Sequence, residues 1–78
     1  MISTWIQIDP DQKRYRFYQI SLEPDLFAEW RVRHEWGSIS SRKRQFQIKI
    51  FESEATALIH LHKQEQKRLR RGYTLVRE

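Results

Sequence analysis

Between Ala28 and Trp36 the chain reads AEWRVRHEW, and its side chains sort strictly by alternation. Trp30, Val32, His34 and Trp36 fall on one side, Arg31, Arg33 and Glu35 on the other. A helix would scatter these residues around its circumference. An extended strand with one face against a core sorts them in this way. From Ser53 onward the period changes, with Ala55, Leu58, Ile59, His62, Gln66 and Leu69 marking a helical stripe that becomes more polar as it proceeds. One chain therefore holds both an apolar sheet face and a single helix to cover it.

The flanking segments fit the same plan. TWIQI, residues 4–8, alternates weakly and stops at Asp9-Pro10-Asp11, a turn cluster. RYRFYQISL, residues 14–22, is rich in aromatic and β-branched residues, with Tyr18, Ile20 and Leu22 on one face, and Glu23-Pro24-Asp25 breaks it. RQFQIKIF, residues 44–51, predicts Phe46, Ile48 and Ile50 inward and Gln45, Gln47 and Lys49 outward. Ser53 suits a helix N-cap, Glu54 the positive end of the dipole, and Gly72 the C′ position after a last turn crowded with Lys67, Arg68, Arg70 and Arg71. Tyr73 to Val76 can add a short closing strand. The expected class is α+β: a small antiparallel sheet of three to five strands with one α-helix on one face, a single domain over residues 1–78. With 78 residues, such a chain buries only about 60–65% of its unfolded surface, so its ten aromatic residues must supply much of the core.

Several functions fall away on residue types. Without cysteine there are no disulfides and no thiolate metal sites, which fits a reducing cytosol. MISTWIQIDP has no signal-peptide core, and no apolar run reaches membrane-spanning length, so a soluble cytoplasmic protein without a membrane partner is expected. His60 and His62 are two apart on the helix and diverge, so they form no metal pair, and His34 on the apolar strand face reads as a hydrogen-bonded structural histidine. No phosphate loop, paired catalytic carboxylate or nucleophile motif is present. A non-enzyme with no cofactor, no metal and no small-molecule substrate is the expectation.

Charge points to a partner. Residues 1–40 carry five Lys/Arg against six Asp/Glu, whereas residues 41–78 carry ten against four, so the net charges are −1 and +6. Such asymmetry favours a polyanion, and it also fits a basic face that serves solubility alone. The cations form three groups: Arg42, Lys43 and Arg44 at the exit of a loop of small residues; Lys67, Arg68, Arg70 and Arg71; and Arg14 and Arg16, interleaved with Tyr15, Phe17 and Tyr18. Alternation sends one of the first three inward and leaves two free. Cations beside rings suit nucleic acid, neutralising phosphates while the rings stack on bases or sugars. Trp36, followed at once by Gly37, fits a core tryptophan whose ring edge stays accessible as a stacking platform. The candidate nucleic-acid residues are Arg16, Trp36, Gly37, Arg42, Lys43, Arg44, Lys67, Arg70, Arg71 and Tyr73, with the loop joining the Trp36 platform to an Arg-Lys-Arg phosphate clamp.

The run RFYQISLEPDLFAEWRVRHEWGS, a capped helix after it and the ending KRLRRGY together resemble the WGR domain over about Trp5 to Tyr73. The chain is most similar to the small stand-alone bacterial members. The resemblance implies an antiparallel sheet with one packed helix, and DNA as the favoured partner. In DNA-dependent poly(ADP-ribose) polymerases this domain binds near a DNA break, where its tryptophan packs on sugar at the strand end and basic residues hold terminal phosphates. By position Trp36 would take the first role and Arg16 the second, with Tyr73 and the cations before it as weaker candidates. The motif departs at its third place, which is Ser38 and not arginine, and Ser40 stands where a second glycine is usual. A lost charge-assisted contact costs roughly 1.5–3 kcal/mol, which Arg42 and Lys43 could offset. The main reading is a module that recognises DNA ends or nicks. The other is a protein-interaction adaptor that docks on a nucleic-acid-processing partner through Trp36 and an exposed strand edge.

Overall fold

The structure, a computed structural model, describes residues 1–76. It is an α+β fold in which five antiparallel strands run β1 (Ile2–Asp9), β2 (Arg14–Pro24), β3 (Trp30–Ser38), β4 (Arg44–Phe51) and β5 (Thr74–Val76), with α1 (Glu54–Arg70) between the last two. The spatial order is β4-β3-β2-β1-β5, so the first four strands form a meander and the chain crosses the sheet once, through the helix, to add β5 beside β1. Among the described residues no helix is long and apolar enough to cross a membrane.

The turns follow from local chemistry. Asp9 accepts a hydrogen bond from the Gln12 amide (3.4 Å) around a 3₁₀ turn that starts with Pro10, and Lys13 exits it left-handed at φ 54°. At the other end Asp25 accepts from the Phe27 amide (3.1 Å), and Ala28 takes φ 63° to reverse the chain. The helix begins as its sequence suggests, with the Ser53 hydroxyl accepting from the Thr56 amide (3.2 Å). It ends in a Schellman motif: Gly72, at φ 86°, donates to the Leu69 carbonyl (3.1 Å) and Tyr73 donates to the Arg68 carbonyl (3.0 Å). That turn folds Tyr73 back over the helix end.

Register fixes the faces. Trp5 opposes Tyr18, Tyr18 opposes Trp36, Ile20 opposes His34 and Leu22 opposes Val32, which places all of them on the helix side. The core consists of Trp5, Tyr18, Ile20, Leu22, Val32, Ala57 and Leu61, with Trp30, Trp36, Leu58, Tyr73 and Leu75 packed around it. The expected face of β2 is therefore the one observed.

Two expectations are corrected. In β4, Val32 opposes Lys49 and His34 opposes Gln47, so Gln45, Gln47 and Lys49 share the helix side while Phe46, Ile48 and Ile50 lie on the open face, 38–61% exposed. The helix covers the centre of the sheet, and at the edge strand the covered face is left polar. On α1 the inward residues are Ala57, Leu61 and Arg68, with His60 and Gln64 half-buried, whereas Ala55, Ile59, His62, Gln66 and Leu69 are exposed. The true stripe is rotated because two of its members, His60 and Arg68, are polar and carry no hydropathy signal.

Candidate nucleic-acid interface

Where β2 and β3 leave the core, at the Arg14 and Ser38 end, the sheet and the last turns of α1 diverge around an open cleft of about 680 Å³. That is within the range of small-ligand sites and large enough for a nucleotide. Its floor is aromatic. Trp36 lies nearly parallel to Tyr18 (centroids 6.1 Å apart, 16° between planes), while Tyr73, brought round by the Gly72 turn, meets Tyr18 edge-on at 6.4 Å. The indole NH of Trp36 donates to Gln45 Oε1 (2.9 Å), which fixes the ring's orientation and leaves it half-buried.

Arg68 enters this floor from the helix. Its guanidinium carbon sits 4.1 Å from the centroid of Tyr18 and 5.3 Å from that of Tyr73, and the residue is 94% buried, with only 6% of its surface exposed. No carboxylate pairs with it among the described residues, and its Nε has no hydrogen-bond partner. Buried charges are ordinarily paired. Here two ring faces offset the charge in part, and the buried Nε is left without an acceptor.

The walls repeat the sign. Among the described residues seven cations line the cleft, Lys13, Arg14, Arg16, Lys49, Lys67, Arg68 and Arg71, and no Asp or Glu does. A concave, low-dielectric surface with one sign of charge concentrates anions. Burial, with smaller contributions from His60, Lys49 and Arg68, lowers the His34 pKa to about 4. His60 is lowered by burial first and then by Lys49 and Lys63, and Tyr18 is raised by burial, opposed by Arg68. The three are joined: Tyr18 Oη lies 2.7 Å from His34 Nδ1, and His34 Nε2 lies 2.9 Å from His60 Nε2. A neutral relay thus ties sheet to helix beneath the cleft, and His34 has the hydrogen-bonded place expected of it.

The sequence candidates separate into two groups. The cleft gathers Arg16, Trp36, Gly37, Lys67, Arg71 and Tyr73. Arg42, Lys43, Arg44 and Arg70 lie outside its lining. Because Gly37 opposes Arg44 and Phe17 in register, Arg44 is on the sheet face away from Trp36. There it stacks 4.8 Å over the Phe17 ring and approaches Glu35 to 3.7 Å. Gly37 has a packing reason of its own: a Cβ there would lie 2.9 Å from the Lys43 carbonyl oxygen and 3.2 Å from Phe17. Ser38, at the missing motif arginine, spends its hydroxyl on Ser40, 3.0 Å from its hydroxyl and 3.3 Å from its amide. The cleft also takes in Arg14 and Arg68, each named from sequence within a group of cations but not among the site residues, and Lys13, Gln47, Lys49 and Gln64, which no sequence signal marked. The β3–β4 register would have found Gln47 and Lys49, since both share the face of Trp36.

Among the described residues no group of three or more His, Asp or Glu could hold a metal ion. Neither a curated protein nor a solved structure matches the chain. The WGR domain does match, over residues 2–78, and the WGR domain is in general a nucleic-acid-binding module and not a catalytic one. With sheet, helix and match running together across the described chain, this protein belongs to the WGR domain family.

Proposed function

We propose that this chain is a non-catalytic module that binds nucleic acid, preferably DNA ends or nicks, in the cleft between β2, β3 and the end of α1. The observation that carries the reading is Arg68, a buried guanidinium against two tyrosine rings whose Nε has no acceptor and which no carboxylate pairs among the described residues. A phosphate is the partner that such a group lacks. Trp36 beside it supplies a fixed ring for a sugar or unstacked base, which a strand end exposes and a continuous duplex hides. Arg16, opposite Ser38 in register, stands where it can supply the charge missing from the motif, so Arg42 and Lys43 are not needed for it.

The test is fluorescence anisotropy with short labelled duplexes: 5′-phosphorylated blunt, 5′-hydroxyl blunt, nicked, and hairpin-closed at both ends. If four of the seven cations engage phosphates, affinity should fall about a hundredfold between 50 and 200 mM salt. A preference for ends or nicks that Trp36→Ala removes, and Arg42→Ala and Lys43→Ala do not, is the expected result. Equal binding to all duplexes would reduce the cleft to nonspecific attraction, and no binding even at low salt would sink the nucleic-acid reading. A second reading rests on the β2–β3 tip, where Leu26 and Phe27 are 97% and 83% exposed on a turn held by Asp25: an adaptor that docks on a nucleic-acid-processing protein. Binding to such a partner would resist salt and be lost in Phe27→Ser.

A further inference from the structure

The edge of the sheet opposite β5 is β4, eight residues long, with no proline or glycine to interrupt it. Edge strands of this length are ordinarily blunted, since their unpaired amides and carbonyls template another strand. Here the charged residues of the strand are Lys49, on the helix side, and Arg44 at its start. On the open face Phe46, Ile48 and Ile50 are 61%, 38% and 49% exposed, an apolar row that the helix leaves uncovered, with the Arg33 guanidinium 4.9 Å over the Phe46 ring, beside a free row of backbone donors and acceptors.

The order of residues along β4 is self-complementary. We propose that β4 pairs antiparallel with β4 of a second copy of this chain, about a two-fold axis at Ile48. In that register Ile48 opposes the partner's Ile48, Phe46 opposes the partner's Ile50, and Arg44 opposes the partner's Glu52, one residue beyond the strand. Directly opposed residues share a face, so all three apolar pairs meet on one side with an opposite-charge pair at each end. Neighbouring registers lack this match: centring on Lys49 opposes two ammonium groups, and centring on Gln47 sets Arg44 against the partner's Ile50. The Arg44 side chain is 59% exposed despite its approach to Glu35, so it has the freedom to reach outward.

The result is a ten-stranded sheet with both helices, and hence both basic clefts, on the same face. Assembly of this kind does not depend on what the clefts bind. A seam of one eight-residue strand from each copy is a small contact, and we expect a weak dimer, forming at roughly 10–100 µM.

Sedimentation velocity from about 5 to 500 µM, without nucleic acid, brackets that range. Dimer is expected to accumulate across it, and Ile48→Lys, which sets two ammonium groups at the axis, should weaken association at least tenfold with an unchanged circular dichroism spectrum. Arg44→Glu and Glu52→Arg should each weaken it alone, while an equimolar mixture of the two should restore it, because each copy then meets an opposite charge. A monomer throughout the range would overturn the proposal, as would an Ile48→Lys protein that dimerises like the parent. A mixture no better than its components would overturn this register.

Discussion

Replacing Arg68 with methionine separates a ligand-binding role from a structural one. Methionine keeps the length and volume of the stem while removing the charge and its donors. The lost contacts with Tyr18 and Tyr73, at 4.1 and 5.3 Å, are worth about 1–2 kcal/mol together when desolvated. Against this, a charge 94% buried with no ion pair among the described residues no longer has to be held out of water, and apolar replacements of buried charges are often neutral or stabilising. The net change should stay within about 1 kcal/mol, a shift in Tm of no more than roughly 4–8 °C for a domain this small. Affinity should respond more. Loss of a charge-assisted contact to phosphate costs roughly 1.5–3 kcal/mol, a ten- to 150-fold weakening, and lowers the salt slope by about one. Arg70→Met, on the same helical turn but outside the cleft, is the control and should lose much less. Thermal melts and anisotropy at several salt concentrations provide both readouts. A marked loss of stability with affinity and slope unchanged would mean that Arg68 serves the fold, and the reasoning built on its free donor would fail.

Two further outcomes follow from other parts of the structure. His34, near 4 in the folded protein against about 6.5 unfolded, takes up its proton first in the unfolded chain, so roughly 3 kcal/mol of stability is fully present above pH 6.5 and lost as pH falls toward 4. His60 shifts in the same direction and adds to the loss; urea melts across this window measure the total, and a His34 NMR resonance titrating near 6.5 would refute the assignment. Gly37→Ala forces a Cβ to within 2.9 Å of the Lys43 carbonyl oxygen and should cost about 1–3 kcal/mol, so a variant melting with the parent would show that the loop yields without strain.

The central strands were legible because the helix covers them. Trp30 to Trp36 and Tyr18 to Leu22 alternate against a real core, and the caps at Ser53 and Gly72 follow from backbone needs that the sequence states openly. β4 misled for a physical reason: its apolar row lies on the face that the helix does not cover, and hydropathy records composition without recording which side is sheltered. The helix stripe misled for another. Its inward members His60 and Arg68 are held by a histidine on β3 and by two aromatic rings, interactions that become visible only when the strands and helix are brought together. The same limit applies to the cleft. Lys13, Lys49 and Arg71 lie far apart in the chain, and only the hairpin registers and the helix crossing place them around one opening.

Tyr18 belongs at once to the core and to the floor of the cleft, 8% exposed and packed against Trp36, His34 and Arg68. Among the described residues one sheet and one helix make up the fold, so occupancy of the cleft and integrity of the sheet are thermodynamically linked. An anion held there adds RT ln(1 + [L]/Kd) directly to the folding free energy, about 2.7 kcal/mol at a hundred times Kd. In a fold this small that is a substantial fraction of the whole, and unfolding therefore competes with release: the protein is hardest to unfold while its cleft is filled.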